Sequence, residues 1–311
     1  MTDLVIVGAP RSGTNMLRDA LCRLPGFDTW PCDEINFIWR HGNARWPSDL
    51  LAEEHARPSV VRYIQKRFSD QRRATGCDVL VEKTCANSLR VPFVDRVVAG
   101  AKFVFIHRNP VDAVASASNR WNAPLEVRYT MAKARFVPRS DLMYYGIRFL
   151  ANRIYLRLSS KRRLASWGPR LEGMDELLKR HTLTEVCALQ WRDCAKGASE
   201  AFLSMDPGRV HVVNYETFVN EPEAGLAEIC DFLGGSRAPR DLRRATIEVR
   251  SDSVGWGRRQ LAINDRIAVE TLVEPGLVSV RRLVVSRSEQ LGTASVSPEP
   301  PSSVGVAKHA H

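Results

Sequence analysis

Leu4-Val5-Ile6-Val7 runs without a break into Gly8-Ala9-Pro10-Arg11-Ser12-Gly13-Thr14, and a helix-periodic stretch from about Asn15 to Leu24 follows. No other segment narrows the possible folds as much. Four apolar residues bounded by turn formers read as a strand buried on both faces, and a 3.6-residue period reads as a helix. Between them the glycines have the spacing G-x-x-x-x-G. Such a turn lets successive backbone N–H groups and the helix N-terminus face an anion. Thr14 stands where the P-loop of kinases and GTPases carries its lysine, and Arg11 supplies positive charge from inside the loop instead. Read without its surroundings, the turn is equally a tight connection with no ligand.

The strand–loop–helix unit recurs. Asp78–Val81 reads as a second strand. Lys102–His107 is a third, with Asn109-Pro110 and a helix through about Asn119 behind it. Pro110 falls where a first helical turn accepts proline. Val210–Val213 is a fourth strand, and the helix from about Glu221 to Leu233 stops at Gly234-Gly235. Repetition of this kind implies an α/β fold: a P-loop-type parallel sheet flanked by helices on both faces, with ligands at the carboxyl ends of the strands. Residues 1–285 read as one domain carrying a helical basic insert at 128–196, and the polar stretch 286–311 reads as a disordered tail.

Charge and cysteine content exclude several classes. The net charge is +10. Between Arg128 and Arg170 stand eleven Lys and Arg against the single acid Asp141, an excess equal to that whole charge. This stretch is either a solvated basic face or a patch that attracts anions. No run approaches the roughly 18 apolar residues of a membrane span, and the start Met1-Thr2-Asp3 lacks a signal peptide's basic region. The seven cysteines are scattered with no C-x-x-C pair, which disfavours a disulfide framework or a zinc site. The expected setting is cytoplasmic, with peripheral membrane or anionic-glycan contact through 128–170 left open. Arginines interleaved with aromatic residues over Tyr144–Arg157 suit such a contact, or a helix packed on the core. No metal is expected, since neither H-x-x-x-H nor clustered carboxylates occur.

A second anion motif follows the third strand. Arg108 ends the apolar run and Ser116 lies two turns into the next helix, so a guanidinium fork and a hydroxyl are available to a phosphate. Alone, Arg108 is just as readily a strand-end arginine paired with a neighbour.

Taken together, Ala9–Thr14 and Arg108-Asn109-Pro110…Ser116 resemble the two phosphate-binding motifs of sulfotransferases, in particular bacterial, heparan-type and protein-tyrosine members. The resemblance runs over roughly residues 4–275. It implies an enzyme that moves a sulfuryl group from 3′-phosphoadenosine-5′-phosphosulfate (PAPS) to a hydroxyl or amine of a saccharide, glycolipid or other metabolite, without a metal. On that resemblance Pro10, Arg11, Ser12, Gly13, Thr14 and Asn15 surround the 5′-phosphosulfate, and Arg108 and Ser116 hold the 3′-phosphate. Tyr215, in Val213-Asn214-Tyr215-Glu216, lies near the adenine or is a core residue. Arg258 and Arg259 belong to the loop that closes over the 3′-phosphate, although Trp256 and Gly257 depart from the usual pattern there. Glu34, in Asp33-Glu34-Ile35-Asn36-Phe37, is the implied base, with partial burial beside Phe37 and Trp39 expected to raise its pKa. His41 and His107 are rival bases. Lys83, in Glu82-Lys83-Thr84 after the second strand, is implied to reach the sulfonate or the acceptor, and Arg11 to stabilise charge on the bridging oxygen. The alternatives are a P-loop nucleotide phosphotransferase and a non-catalytic PAPS- or polyanion-binding protein. A nucleic-acid binder using the basic insert lacks any recognised module.

Overall fold

The computed structural model describes residues 2–121, 136–147, 150 and 167–290. Its frame is a five-stranded sheet in the order β2-β3-β1-β4-β5, built from β1 (Thr2–Val7), β2 (Phe27–Thr29), β3 (Val79–Lys83), β4 (Lys102–His107) and β5 (Val210–Asn214). Every neighbouring pair is parallel.

Two of these strands differ from the sequence expectation. The edge strand β2 is three residues long, too short for periodicity to reveal, and it exists because Phe27 to Thr29 pair with Val79 to Val81. The next strand was expected to end at Val81, but its pairing with β1 continues to Ile6↔Lys83. Glu82 and Lys83 therefore lie inside the strand rather than after it, and both are buried.

The helices are α1 (Thr14–Cys22), α2 (Asn36–Trp39), α3 (Pro58–Thr75), α4 (Val91–Val97), α5 (Pro110–Trp121) and α6 (Met174–Arg180). They continue with α7 (Leu183–Leu203), α8 (Tyr215–Asn220), α9 (Pro222–Phe232), α10 (Pro239–Thr246), α11 (Trp256–Gln260) and α12 (Ile263–Gln290). Pro110 opens α5 as expected. A reciprocal cap starts α7: Thr182 Oγ1 accepts from the Glu185 N–H, and Glu185 Oε2 accepts from the Thr182 N–H at 2.7 Å. Alternate residues of the strands point to opposite faces. Val5, Val7, Leu80, Phe103 and Phe105 pack with Phe68, Phe93, Phe202 and Leu283 from α3, α4, α7 and α12. Leu4, Ile6, Val81, Val104 and Ile106 pack on the other face with Leu17, Phe218, Leu226 and Leu242 from α1, α8, α9 and α10.

Most of the basic stretch expected at 128–170 lies outside the described residues. The described part of 128–196 includes a short 3-10 turn at Arg139–Asp141, α6 and most of α7. At the other end α12 continues through Gln290, five residues into the stretch read as a tail, and 291–311 lie outside the described residues. No helix among the described residues is long and apolar enough to cross a membrane.

The chain leaves β1 toward β3's side of the sheet and leaves β4 toward β5's side. The loops after β1 and β4 thus diverge from neighbouring strands, and the crevice between them is where a doubly wound sheet takes its ligand.

Candidate active site at the carboxyl ends of the strands

The loop after β1 is shaped by close approach. A Cβ at Gly8 would meet the Ile106 carbonyl, and one at Gly13 would meet the Tyr215 ring. Gly13, at φ +90°, precedes α1 and has no side chain with which to cap it, so no N-cap side chain takes up the first-turn N–H groups. Arg11 has φ +66°, the one non-glycine at positive φ among the described residues. That backbone costs on the order of 1–2 kcal/mol in a residue with a Cβ. Pro10, Ser12 and Thr14 are buried while Asn15 is exposed. Ser12 Oγ is fully enclosed and has no hydrogen-bond partner among the described residues. Thr14 Oγ1 lies 3.6 Å from Cys85 Sγ.

The two expected anion motifs meet directly. Arg11 Nε donates to Ser116 Oγ at 2.9 Å, and Arg108 Nη1 donates to the Arg11 carbonyl at 3.0 Å. Arg108 Nη2 donates to the Ser253 carbonyl at 2.7 Å, and the guanidinium sits 4.3 Å above the Tyr215 ring. Its Nε is buried and has no hydrogen-bond partner among the described residues. Partial desolvation in the crevice, followed by the neighbouring charge of Arg108, lowers the Arg11 pKa from its usual value. A buried Arg108 whose charge is felt by Arg11 makes the crevice attractive to an anion.

Tyr215 is buried at the start of α8, and its hydroxyl lies 2.7 Å from Ser253 Oγ. The loop carrying Ser253 is tied down by Asp112, whose two carboxylate oxygens accept from the Gly255 and Gly257 N–H groups at 2.7 Å each. Gly257 packs so closely on the Val111 carbonyl that no Cβ fits. Arg258 and Arg259 of α11 are exposed and engage none of these groups. The sequence reading missed Asp112 and Ser253, although an acid two residues after Pro110 was a visible sign of a first-turn acceptor.

At the end of β3, Lys83 Nζ donates to Glu34 Oε1 at 3.0 Å and to Asp33 Oδ1 at 3.1 Å. The Cys85 N–H also donates to Glu34 Oε1, at 3.3 Å. The expectation that apolar neighbours surround Glu34 is corrected here. Its carboxylate faces donors, while Phe37 packs edge-on against Tyr145 and Trp39 is enclosed by the core beside Phe68 and Phe93. Burial opposes the charge on Lys83, but Glu34 and Asp33 more than offset it, and the ammonium's pKa is raised. Asp33 is further held by Arg18 Nη1 at 2.8 Å. His41 is 3.2 Å from Asp141 Oδ2 and lies against the Tyr63 ring. His107 is neutral, its pKa pushed down to about 4 by burial. No group of three or more potential metal ligands occurs among the described residues.

A model described as the sulfotransferase family matches residues 3–135 and 156–239, more than half of the chain. The chain belongs to the sulfotransferase family. It is an enzyme of sulfuryl transfer, and the phosphotransferase alternative falls with that match. Three solved structures share the fold of this sulfotransferase. The sulfotransferase domain from the curacin biosynthetic pathway is 15% identical over 94% of this chain and 98% of that one, with a TM-score of 0.50. The corresponding domain of the Synechococcus PCC 7002 olefin synthase is 16% identical over 88% and 94%, at 0.51. A sulfotransferase from Alicyclobacillus acidocaldarius is 16% identical over 92% and 96%, at 0.50. No curated protein matches the chain. The family match stops at residue 239, so the loop of Ser253 and Gly257 lies beyond it.

Proposed function

We propose that this sulfotransferase takes its sulfuryl group from PAPS, bound across the loops after β1 and β4, and that Glu34 is the base for the acceptor. The observation carrying this reading is the contact between the two motifs, Arg11 Nε to Ser116 Oγ at 2.9 Å, which makes one crevice of two anion sites. The residues present fit a doubly phosphorylated adenosine. Ser12 Oγ and Arg108 Nε are enclosed polar atoms without partners among the described residues, and groups of that kind are normally satisfied. The uncapped start of α1 adds donors for the 5′-phosphosulfate.

PAPS, when bound, supplies an activated sulfuryl group whose leaving phosphate needs no metal to depart. The protein's own groups then have distinct tasks. Pro10 to Asn15 hold the 5′ end, with Arg11 offsetting negative charge on the bridging oxygen; an arginine hardly ever gives up its proton, so it acts as a charge. Arg108 and Ser116 hold the 3′-phosphate, with Tyr215 supporting the Arg108 fork from below. Lys83 would reach the transferring oxygens, and Glu34, facing the Lys83 ammonium and the Cys85 N–H, would take the proton of the acceptor's hydroxyl or amine. His41 is the alternative base. Its Asp141 partner suits it to proton transfer, whereas the neutral, enclosed His107 is poorly placed for it.

The acceptor class proposed is a saccharide, glycolipid or other metabolite. Two residues after Glu34 begins α2, and beyond it Asn43, Trp46, Arg57, Asp141, Met143 and Tyr144 line a cleft of mixed polar and apolar character, which suits such a molecule. Seven cysteines free of disulfides support a cytoplasmic setting.

Calorimetry with 3′-phosphoadenosine-5′-phosphate (PAP) against 5′-AMP tests the donor site. PAP is expected to bind the more tightly, and Arg108→Ala to erase most of the preference, roughly 10- to 100-fold for a lost charged hydrogen bond. Equal affinity for the two nucleotides would remove the 3′-phosphate site. Glu34→Gln binds PAP normally and does not turn over.

A further inference from the structure

At the end of β3, beneath the proposed base, four polar side chains are fully enclosed: Glu82, Thr84, Asn87 and Arg90 are each 0% exposed. Each hydrogen bond among them has a direction that chemistry dictates. The Ile35 N–H can only donate, and it donates to Thr84 Oγ1 at 3.3 Å. The Thr84 hydroxyl therefore spends its own proton on Glu82 Oε1, at 2.6 Å. Arg90 can only donate, and its Nε and Nη2 reach Asn87 Oδ1 at 3.0 and 2.9 Å. The Asn87 amide nitrogen must then face Glu82 Oε2, at 2.8 Å. In its ionised form Glu82 thus accepts through both oxygens.

The chain of contacts ends at the segment that carries the base. Thr84 grips the backbone immediately after Glu34. Arg90 Nη2 donates to Asn36 Oδ1 at 2.6 Å, and Asn36 Nδ2 donates to Asp49 Oδ1 at 3.2 Å. Asp49 is itself held by Arg40 Nη1 at 2.8 Å and by the Arg170 N–H at 2.7 Å. Residues 35 and 36 are consequently held by Thr84 and Arg90, both fully enclosed, and by the buried Asp49.

We infer that Glu82 is a positioning residue for sulfuryl transfer: through Thr84 and Asn87 it fixes the backbone of residues 34–36 and with it the direction of the Glu34 carboxylate. The inference rests on Glu34 being the base. A carboxylate is expensive to bury, and here its two oxygens take the Thr84 hydroxyl proton and the Asn87 amide proton, one each. Glutamine at position 82 has the same shape but presents a donor to the Asn87 donor, so the isosteric change breaks one of the two tethers. Valine at position 84 keeps the volume and removes the relay.

The test compares Thr84→Val, Thr84→Ser, Glu82→Gln and Glu34→Gln with the wild-type protein. Three readouts are used: PAP affinity, release of sulfate from PAPS with water as acceptor, and the carbon-13 resonance of the Glu34 carboxyl in the PAP complex. Thr84→Val is expected to bind PAP as the wild type does, to shift the Glu34 resonance, and to lose turnover on the order of 10- to 100-fold with little change in KM for PAPS. Thr84→Ser restores both resonance and rate, and Glu82→Gln falls with Thr84→Val. An unmoved Glu34 resonance in Thr84→Val overturns the inference, as does wild-type turnover in that variant while Glu34→Gln is inactive. Loss of PAP affinity in parallel with rate, unrescued by serine, reduces the network to a folding role and also overturns it. If Glu34→Gln itself turns over normally, the base assignment has failed first and the positioning role goes with it.

Discussion

Arg11 adopts a left-handed backbone in which glycine would be unstrained, and it does so where the loop after β1 meets Arg108 and Ser116, at the two proposed anion sites. Such strain persists only where the surroundings over-determine it, here through its Nε on Ser116 and its carbonyl on Arg108. Arg11→Gly should relieve the backbone yet weaken PAP binding, seen as higher or unchanged melting temperature with lower affinity in calorimetry. Glu82 makes a separate prediction about pH. Burial raises its pKa from 4.5 to about 7, against the pull of Thr84, Trp39, Arg90 and Lys83. The folded protein therefore binds this proton more tightly than the unfolded chain does. The contribution of Glu82 to stability is largest below about pH 4.5 and declines as pH rises through about 7. His107 works in the opposite sense, since its lowered pKa costs stability as pH falls from 6.5 toward 4. Urea titrations across pH 4.5 to 7 should show Glu82→Gln removing the decline that belongs to Glu82.

The start of α5 latches a loop that is far away in sequence. Asp112 accepts from two N–H groups, one of them buried, more than 140 residues later, and Arg108, at the end of the preceding strand, reaches the same loop through the Ser253 carbonyl. Asp112→Ala leaves both N–H groups without an acceptor and is expected to cost about 1–3 kcal/mol. It should also lower PAP affinity, because the Arg108 fork loses a fixed partner. Thermal unfolding and calorimetry on one preparation read both effects, and a variant that melts normally would show the latch to be idle. Gly257→Ala should act in the same direction through the Val111 carbonyl.

Across the molecule, a single sheet separates two apolar layers, so neither layer has a backbone frame of its own. Leu283 fills one layer and Leu226 the other, and both are fully enclosed. Leu283→Ala and Leu226→Ala are each expected to cost about 2–5 kcal/mol. Both should shift the same single urea transition rather than split it, because losing either layer strips one face of the shared sheet. Two separated transitions would mean that the layers unfold independently.

The parallel sheet, with a loop after β1 and another after β4, was legible in the sequence because each signal is local. A buried apolar run, a G-x-x-x-x-G turn and Arg108 followed by Pro110 carry their meaning within about fifteen residues, where backbone sterics and helix-start chemistry suffice. Tertiary structure decided what those loops touch. Arg11 and Ser116 are 105 positions apart, and Lys83 and Glu34 are 49, and no periodicity encodes such a pairing. The same holds for β3, whose last two residues are charged and look like loop until strand pairing with β1 buries them. The residue types proposed for sulfuryl transfer are written in the chain. Which of them face each other, and which carboxylate is held by donors rather than by apolar rings, follows only from packing, since burial and hydrogen-bond direction belong to the folded arrangement.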